Sequence, residues 1–171
     1  MEETNQCVKE WKATIEALGQ GKQNIFIRVY PTNKHGFLLY PTTNYMAKDT
    51  YLQGFKKDYQ EFVESNSKSG EGVEIKYYAN CVAVKQIPQN KISKLNDFHI
   101  WTNEHVKSYI NGRDAYVWIL KVYELEKPVI VPMATGQIYA KIKKNIDLSN
   151  MKPVLTQEEF KTNLEKIRSV F

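Results

Sequence analysis

Sulfur, imidazole and long apolar runs are all scarce in this chain of 171 residues. The two cysteines, Cys7 and Cys81, lie far apart and form no CxxC pair. That argues against a thiolate metal site and against a disulfide framework, and leaves two free thiols of a reducing cytosol as the expectation. Of the three histidines, His35, His99 and His105, the last two are six positions apart, which matches no zinc spacing. No apolar run approaches the roughly 18 residues that span a bilayer. Residues 1–6 have neither the basic start nor the apolar stretch of a secretory leader. The expectation is a cytoplasmic protein without a membrane partner. Phosphate loop, nucleophile elbow and dinucleotide fingerprint are also missing. Gly19-Gln20-Gly21 lacks a third glycine and precedes a strand pattern, so no nucleotide cofactor is expected.

What the chain does have is rings and a surplus of cations. It holds 11 tyrosines, 7 phenylalanines and 3 tryptophans, more than one small core hides. Hydrophobic residues at 42% and charged residues at 25% are ordinary for a globular domain, and the length suits a single one over residues 1–171. The 24 basic against 19 acidic side chains give +5, which favours phosphate-bearing partners and equally fits an ordinary basic surface.

Periodicity predicts a first helix over residues 4–19, with Val8, Trp11, Ile15 and Leu18 on its buried face and Gly19 and Gly21 as the stop. Residues 24–30 read as a strand, Ile25, Ile27 and Val29 inward and Phe26 and Arg28 on the other face. After the turn at residues 31–36, Phe37 to Tyr40 returns. A second helix is predicted over 51–64, carrying Leu52, Phe55, Tyr59 and Phe62, and the polar stretch 65–72 reads as the most flexible part. Residues 73–86 alternate as a strand with a bend at Asn80. Residues 89–96 carry no clear pattern. Thr102 to Ile110 reads as a helix stopped by Asn111-Gly112. Residues 115–125, apolar on both faces, read as a central strand, and Pro128 and Pro132 reduce 129–131 to an edge at best. A last strand is expected over 138–142, and Thr156 with Glu159 opens a final helix whose stripe is Phe160, Leu164 and Ile167. This mixture without a βαβ rhythm is α+β, with a mostly antiparallel, barrel-like sheet.

The blocks Lys9-Glu10-Trp11, Glu16 to Gln23, Phe37 to Thr42, His99-Ile100-Trp101-Thr102 and Leu120 to Leu125 with Pro128 resemble the bacterial domain-of-unknown-function 1802 family. They span a family-like core of residues 9–131 in order, with the strand and helix of 137–171 appended; Lys121 stands where that family leads one to expect arginine. The helix, the glycine turn and Ile25-Phe26-Ile27-Arg28 are similar, more distantly, to the start of PUA-like domains of the ASCH type. That resemblance implies a PUA-like small β-barrel flanked by helices, in a superfamily that mostly binds RNA or modified bases. Phe26 occupies the place of an acidic residue of ASCH enzymes, and Lys22 is displaced by one. Binding survives those departures better than hydrolysis does.

Two constellations carry chemistry. Lys22, Arg28, Tyr40, His99, Trp101, Lys121 and Tyr123 fall at strand ends or turns within the recognisable blocks. Cations hold phosphates, and rings stack on unpaired bases at about 1–3 kcal/mol each. In this reading Lys22, Arg28 and Lys121 neutralise phosphate, Tyr40, Trp101 and Tyr123 stack, and His99 orients a base. The structural reading of the same residues makes Trp101 and Trp118 core rings and Arg28 a partner for Glu10 or Glu16. The second constellation is Asp58, Glu74 and Lys76, with Glu74 sixteen positions after Asp58. It imitates a PD-(D/E)xK nuclease, in which two carboxylates hold Mg²⁺ and lysine assists; a solvated strand face explains it as well. The function expected is therefore a binding domain for RNA or DNA, single-stranded or modified, or for a modified nucleobase. The alternatives are a Mg²⁺-dependent nuclease, the one reading that requires a metal, and a protein-interaction module.

Overall fold

The two longest strands of the chain pair with each other and form the spine of a computed structural model that describes residues 3–68 and 70–171. Seven strands make one sheet: β1 (Glu3–Trp11), β2 (Ile25–Arg28), β3 (Gly36–Thr42), β4 (Val73–Ile87), β5 (Ala115–Val131), β6 (Tyr139–Asp147) and β7 (Lys152–Pro153). The α-helices are α1 (Lys12–Gly19), α2 (Gln60–Ser65), α3 (Asn103–Ile110) and α4 (Gln157–Arg168), joined by short 3₁₀ segments. Strand order is β2-β5-β4-β3-β1-β6, with β7 on β5. All pairings are antiparallel except β1 with β3. The α+β class and the largely antiparallel sheet are as expected, but the barrel is not formed. The sheet curls enough to bring β5 near β6. Its terminal strands β2 and β6 each pair with one neighbour only, so the ladder stays open.

The start of the chain departs most from its periodicity. Residues 3–11 are strand, and the helix begins only at Lys12. Adjacent Cys7 and Val8 are both buried, at 2% and 0% exposure, because β1 is covered on both faces and bonded on both edges by β3 and β6. Those pairings outweigh a helical spacing that Val8, Trp11, Ile15 and Leu18 also satisfy. Gly19 ends α1 where a Cβ would stand 2.1 Å from the Tyr77 ring, and Gly21 takes φ +75° in the turn to β2.

The predicted second helix is likewise broken. Residues 51–54 and 57–59 are 3₁₀ turns, and only residues 60–65 are α-helical. Between them Phe55 is extended and bridges to Trp101, while the Lys56 ammonium donates to the Asn96 carbonyl and, at 2.6 Å, to that of His99. Asp58 accordingly sits in a 3₁₀ turn and is exposed. Ser67, within the stretch read as flexible, is fully buried and bonded to Tyr45 and Val63 at 2.6 Å; Ser69 of that stretch lies outside the described residues. Residues 89–96, which showed no pattern, belong to a 3₁₀ segment over Gln89–Phe98 with Ile92 and Leu95 buried.

The β4–β5 ladder shifts register twice, between Ile75 and Tyr77 and between Cys81 and Ala83, the latter next to the bend expected at Asn80. At the first shift Tyr77 faces Glu124 while Ile75 faces Val129, so Pro128 falls in the bulged segment, where it removes no ladder bond. Residues 129–131 therefore continue β5 against Val73–Ile75 and are not a separate edge. β6 also runs further than residues 138–142. The helix-stop at Asn111, φ 48°, and the capping box of Thr156 with Glu159 form as read.

Core packing follows strand alternation. On β5, Val117 and Ile119 join Ile25 and Ile27 under α1 and α3, while Trp118 and Leu120 join Phe26 on the opposite face. A third cluster lies between β3, the end of β5 and β6. The division leaves an opening where β1 and β2 end against α3.

Candidate ligand-binding cleft

That opening is a cleft of about 110 Å³, with Trp11, Trp101, His105 and Tyr109 among its walls and Ile27 and Val106 as apolar floor. β1 supplies Glu10 and Trp11, β2 supplies Ile27 and Arg28, and α3 supplies His105, Val106 and Tyr109 from one face. Thr102 fixes that helix by accepting the His105 backbone N–H at 3.1 Å.

An ion pair sits inside. Arg28 donates through Nη1 to Glu10 Oε2 at 2.6 Å, with side chains only 10% and 6% exposed. Glu10 Oε1 accepts the Trp11 backbone N–H at 2.9 Å. The guanidinium lies 4.4 Å from the Phe26 ring centre and 5.6 Å from that of Trp118. Burial, the largest effect, pulls Arg28 down, but the Glu10 carboxylate together with Tyr30 and Tyr109 more than offsets it, so the guanidinium titrates above its ordinary range.

Two residues that line this cleft each keep a buried donor without an acceptor: the Arg28 Nε–H and the Trp101 indole N–H. The rings around them interlock, Trp11 stacking on Tyr45 at 4.7 Å and lying 5.3 Å from His105, and His99 standing 5.6 Å from Trp101. Burial holds His105 below the ordinary imidazole value, so it is neutral at pH 7. Burial, and then the Lys56 charge, push His99 down to about 3. Neither His99 ring nitrogen has a partner of normal geometry.

Of the residues singled out in the sequence, the fold brings Arg28 and Trp101 into this cleft, with His99 against Trp101. Arg28 has the partner Glu10, one of the two considered. Lys22 is exposed, 5.0 Å from the Phe62 ring centre, and Lys121 lies over Tyr123 and Phe160 at 5.6 and 5.9 Å. Tyr40 is 2% exposed, and its hydroxyl accepts the Ala134 N–H at 2.8 Å. With Glu74 and Lys76 it lines a separate groove of about 770 Å³. There Lys76 pairs with buried Glu16 at 2.5 Å, and Tyr77 donates to the same carboxylate at 3.4 Å. Glu74 is exposed, and among the described residues no group of three or more His, Cys, Asp or Glu side chains is placed to hold a metal ion.

Trp11, His105 and Tyr109 were not singled out as site residues, and Glu10 was considered only as a partner for Arg28. Reading residues 4–19 as one helix put Trp11 in a core stripe, although Lys9-Glu10-Trp11 stands among the recognisable blocks. His105 and Tyr109, four apart on a short helix, were the available signal on α3.

The architecture is that of an α+β, PUA-like fold of the ASCH kind. Two crystal structures of single-residue mutants of the Zymomonas mobilis ASCH protein are similar to it, each with TM-score 0.52 and 12% identity. They cover 96% and 94% of this chain and 98% and 96% of their own. No curated protein matches the sequence. A family model does, over residues 7–166: the chain belongs to DUF1802, a domain of unknown function.

Proposed function

We propose that the cleft receives a single nucleobase, plain or modified, turned out of an RNA or DNA strand. The observation that carries this is a ring-lined cavity two of whose lining residues, Arg28 and Trp101, each keep a buried N–H without an acceptor. A planar heterocycle meets both requirements, stacking on rings and accepting hydrogen bonds at its edge. Glu10 orients Arg28 and matches its charge. Arg28 is therefore a base contact in this reading, not a phosphate contact. Lys22 and Lys121 have no ion-pair partner among the described residues and stay available to phosphates. The superfamily to which the fold is similar mostly binds RNA or modified bases, which supports the same reading.

The test is fluorescence anisotropy with short single-stranded RNA and DNA at two salt concentrations, with and without Mg²⁺. Micromolar or tighter binding that weakens with salt and leaves the oligonucleotide intact is expected. Absence of binding to RNA and DNA, unmodified or modified, contradicts the proposal. Cleavage that requires Mg²⁺ and vanishes in Glu74→Ala would instead establish the nuclease.

A further inference from the structure

Resting on the base-binding reading, we infer that the cleft selects a pyrimidine, held through a ring carbonyl oxygen that accepts from Trp101 and Arg28. Size is the first argument. A cavity of about 150 Å³ in a protein core admits benzene, and this cleft holds about 110 Å³. The cleft is the smaller of the two and open at its mouth, which favours a single six-membered ring over a fused purine bicycle.

Charge is the second. Arg28 already has its counter-charge in Glu10 at 2.6 Å, so the unused Nε–H calls for a neutral acceptor. A phosphate or carboxylate in its place would be brought up to the Glu10 carboxylate. The indole N–H of Trp101, a donor only, sets the same requirement, and Trp101 is 6% exposed, so water meets it poorly. Carbonyl oxygens, beside the unprotonated ring nitrogens, are the neutral acceptors of nucleobases, and they are the acceptors a single-ring base presents outermost. Uracil and thymine carry two and cytosine one on a single ring, guanine carries one on a bicycle, and adenine carries none. Adenine, a bicycle whose acceptors are ring nitrogens only, thus fails on size and lacks the carbonyl. His105, neutral beside the Glu10 charge and Lys48, adds no second charge to the cleft at pH 7.

The experiment uses abasic octanucleotides with one central base, so that phosphate contacts are constant. The whole chain should bind the uracil and cytosine octamers about tenfold tighter than the adenine and abasic ones, since a buried donor left unmet loses about that factor. Trp101→Phe, which keeps a ring and removes the N–H, should narrow the ratio of uracil to abasic affinity severalfold. Replacing a carbonyl oxygen by sulfur, a poor acceptor, repeats the test without altering the protein: 2-thiouracil or 4-thiouracil should bind severalfold more weakly than uracil. Equal binding of all octamers, the abasic one included, overturns the base-binding reading itself. A purine octamer that binds as tightly as the pyrimidines, or thio-substituted bases that both bind like uracil, overturns the pyrimidine inference and leaves that reading standing.

Discussion

Glu10 and Arg28 show how one residue pair ties stability to the site. Together they form a compact neutral unit; separately each is a charge that the surrounding protein cannot solvate. Removing one partner of a buried pair costs about 3–5 kcal/mol, mainly by stranding the other. Glu10→Ala should therefore lower the unfolding free energy by about that much in urea titration, with Glu10→Gln less severe because it still accepts from Arg28. His99 supplies a pH dependence. Its imidazole titrates near 6.5 when unfolded and is pushed down to about 3 in the fold. Between those values the unfolded chain binds the additional proton, so its contribution is fully present above pH 6.5 and declines as pH falls toward 3. Thermal melts from pH 7 to pH 4 should show a falling Tm, and His99→Phe should flatten much of that slope. At this scale the sequence was half legible. Arg28 stood out as a cation in an apolar strand with Glu10 as a candidate partner, whereas nothing local marked Trp11 as a cleft wall.

Among the elements, those ruled by local chemistry were the easiest to read. The α4 capping box, the Asn111 stop of α3 and the alternation of β4 all depend on residues close in sequence. β1 was not legible, because its state is decided by partners more than thirty and more than a hundred positions away, β3 and β6. The segment 51–59 failed for a similar reason, its helix being interrupted by the Phe55–Trp101 bridge and the anchoring of Lys56. The α1–β2 corner depends on Gly19 lying under the Tyr77 ring. Gly19→Ala should destabilise the protein by about 1–3 kcal/mol through overpacking, measured by chemical denaturation, and Tyr77→Leu should restore part of that loss.

Across the whole molecule, the sheet joins β1 and β2 to the same corner from opposite parts of the strand order and presents their ends to α3. That convergence makes the cleft, and strand order is the feature a single sequence reveals least. Class and family were legible from ordered blocks; the open sheet was not, because closure depends on whether β2 and β6 meet. The central claim is that a base accepts a hydrogen bond from Trp101 inside this corner. The chain has three indole N–H groups, and that of Trp118 already donates to the Tyr30 carbonyl at 3.1 Å, which makes it an internal control. The most direct measurement is the ¹⁵N-resolved indole spectrum during titration with a pyrimidine oligonucleotide. The Trp101 resonance should move downfield to saturation while that of Trp118 stays in place. Saturable binding that leaves the Trp101 resonance unmoved would contradict the account.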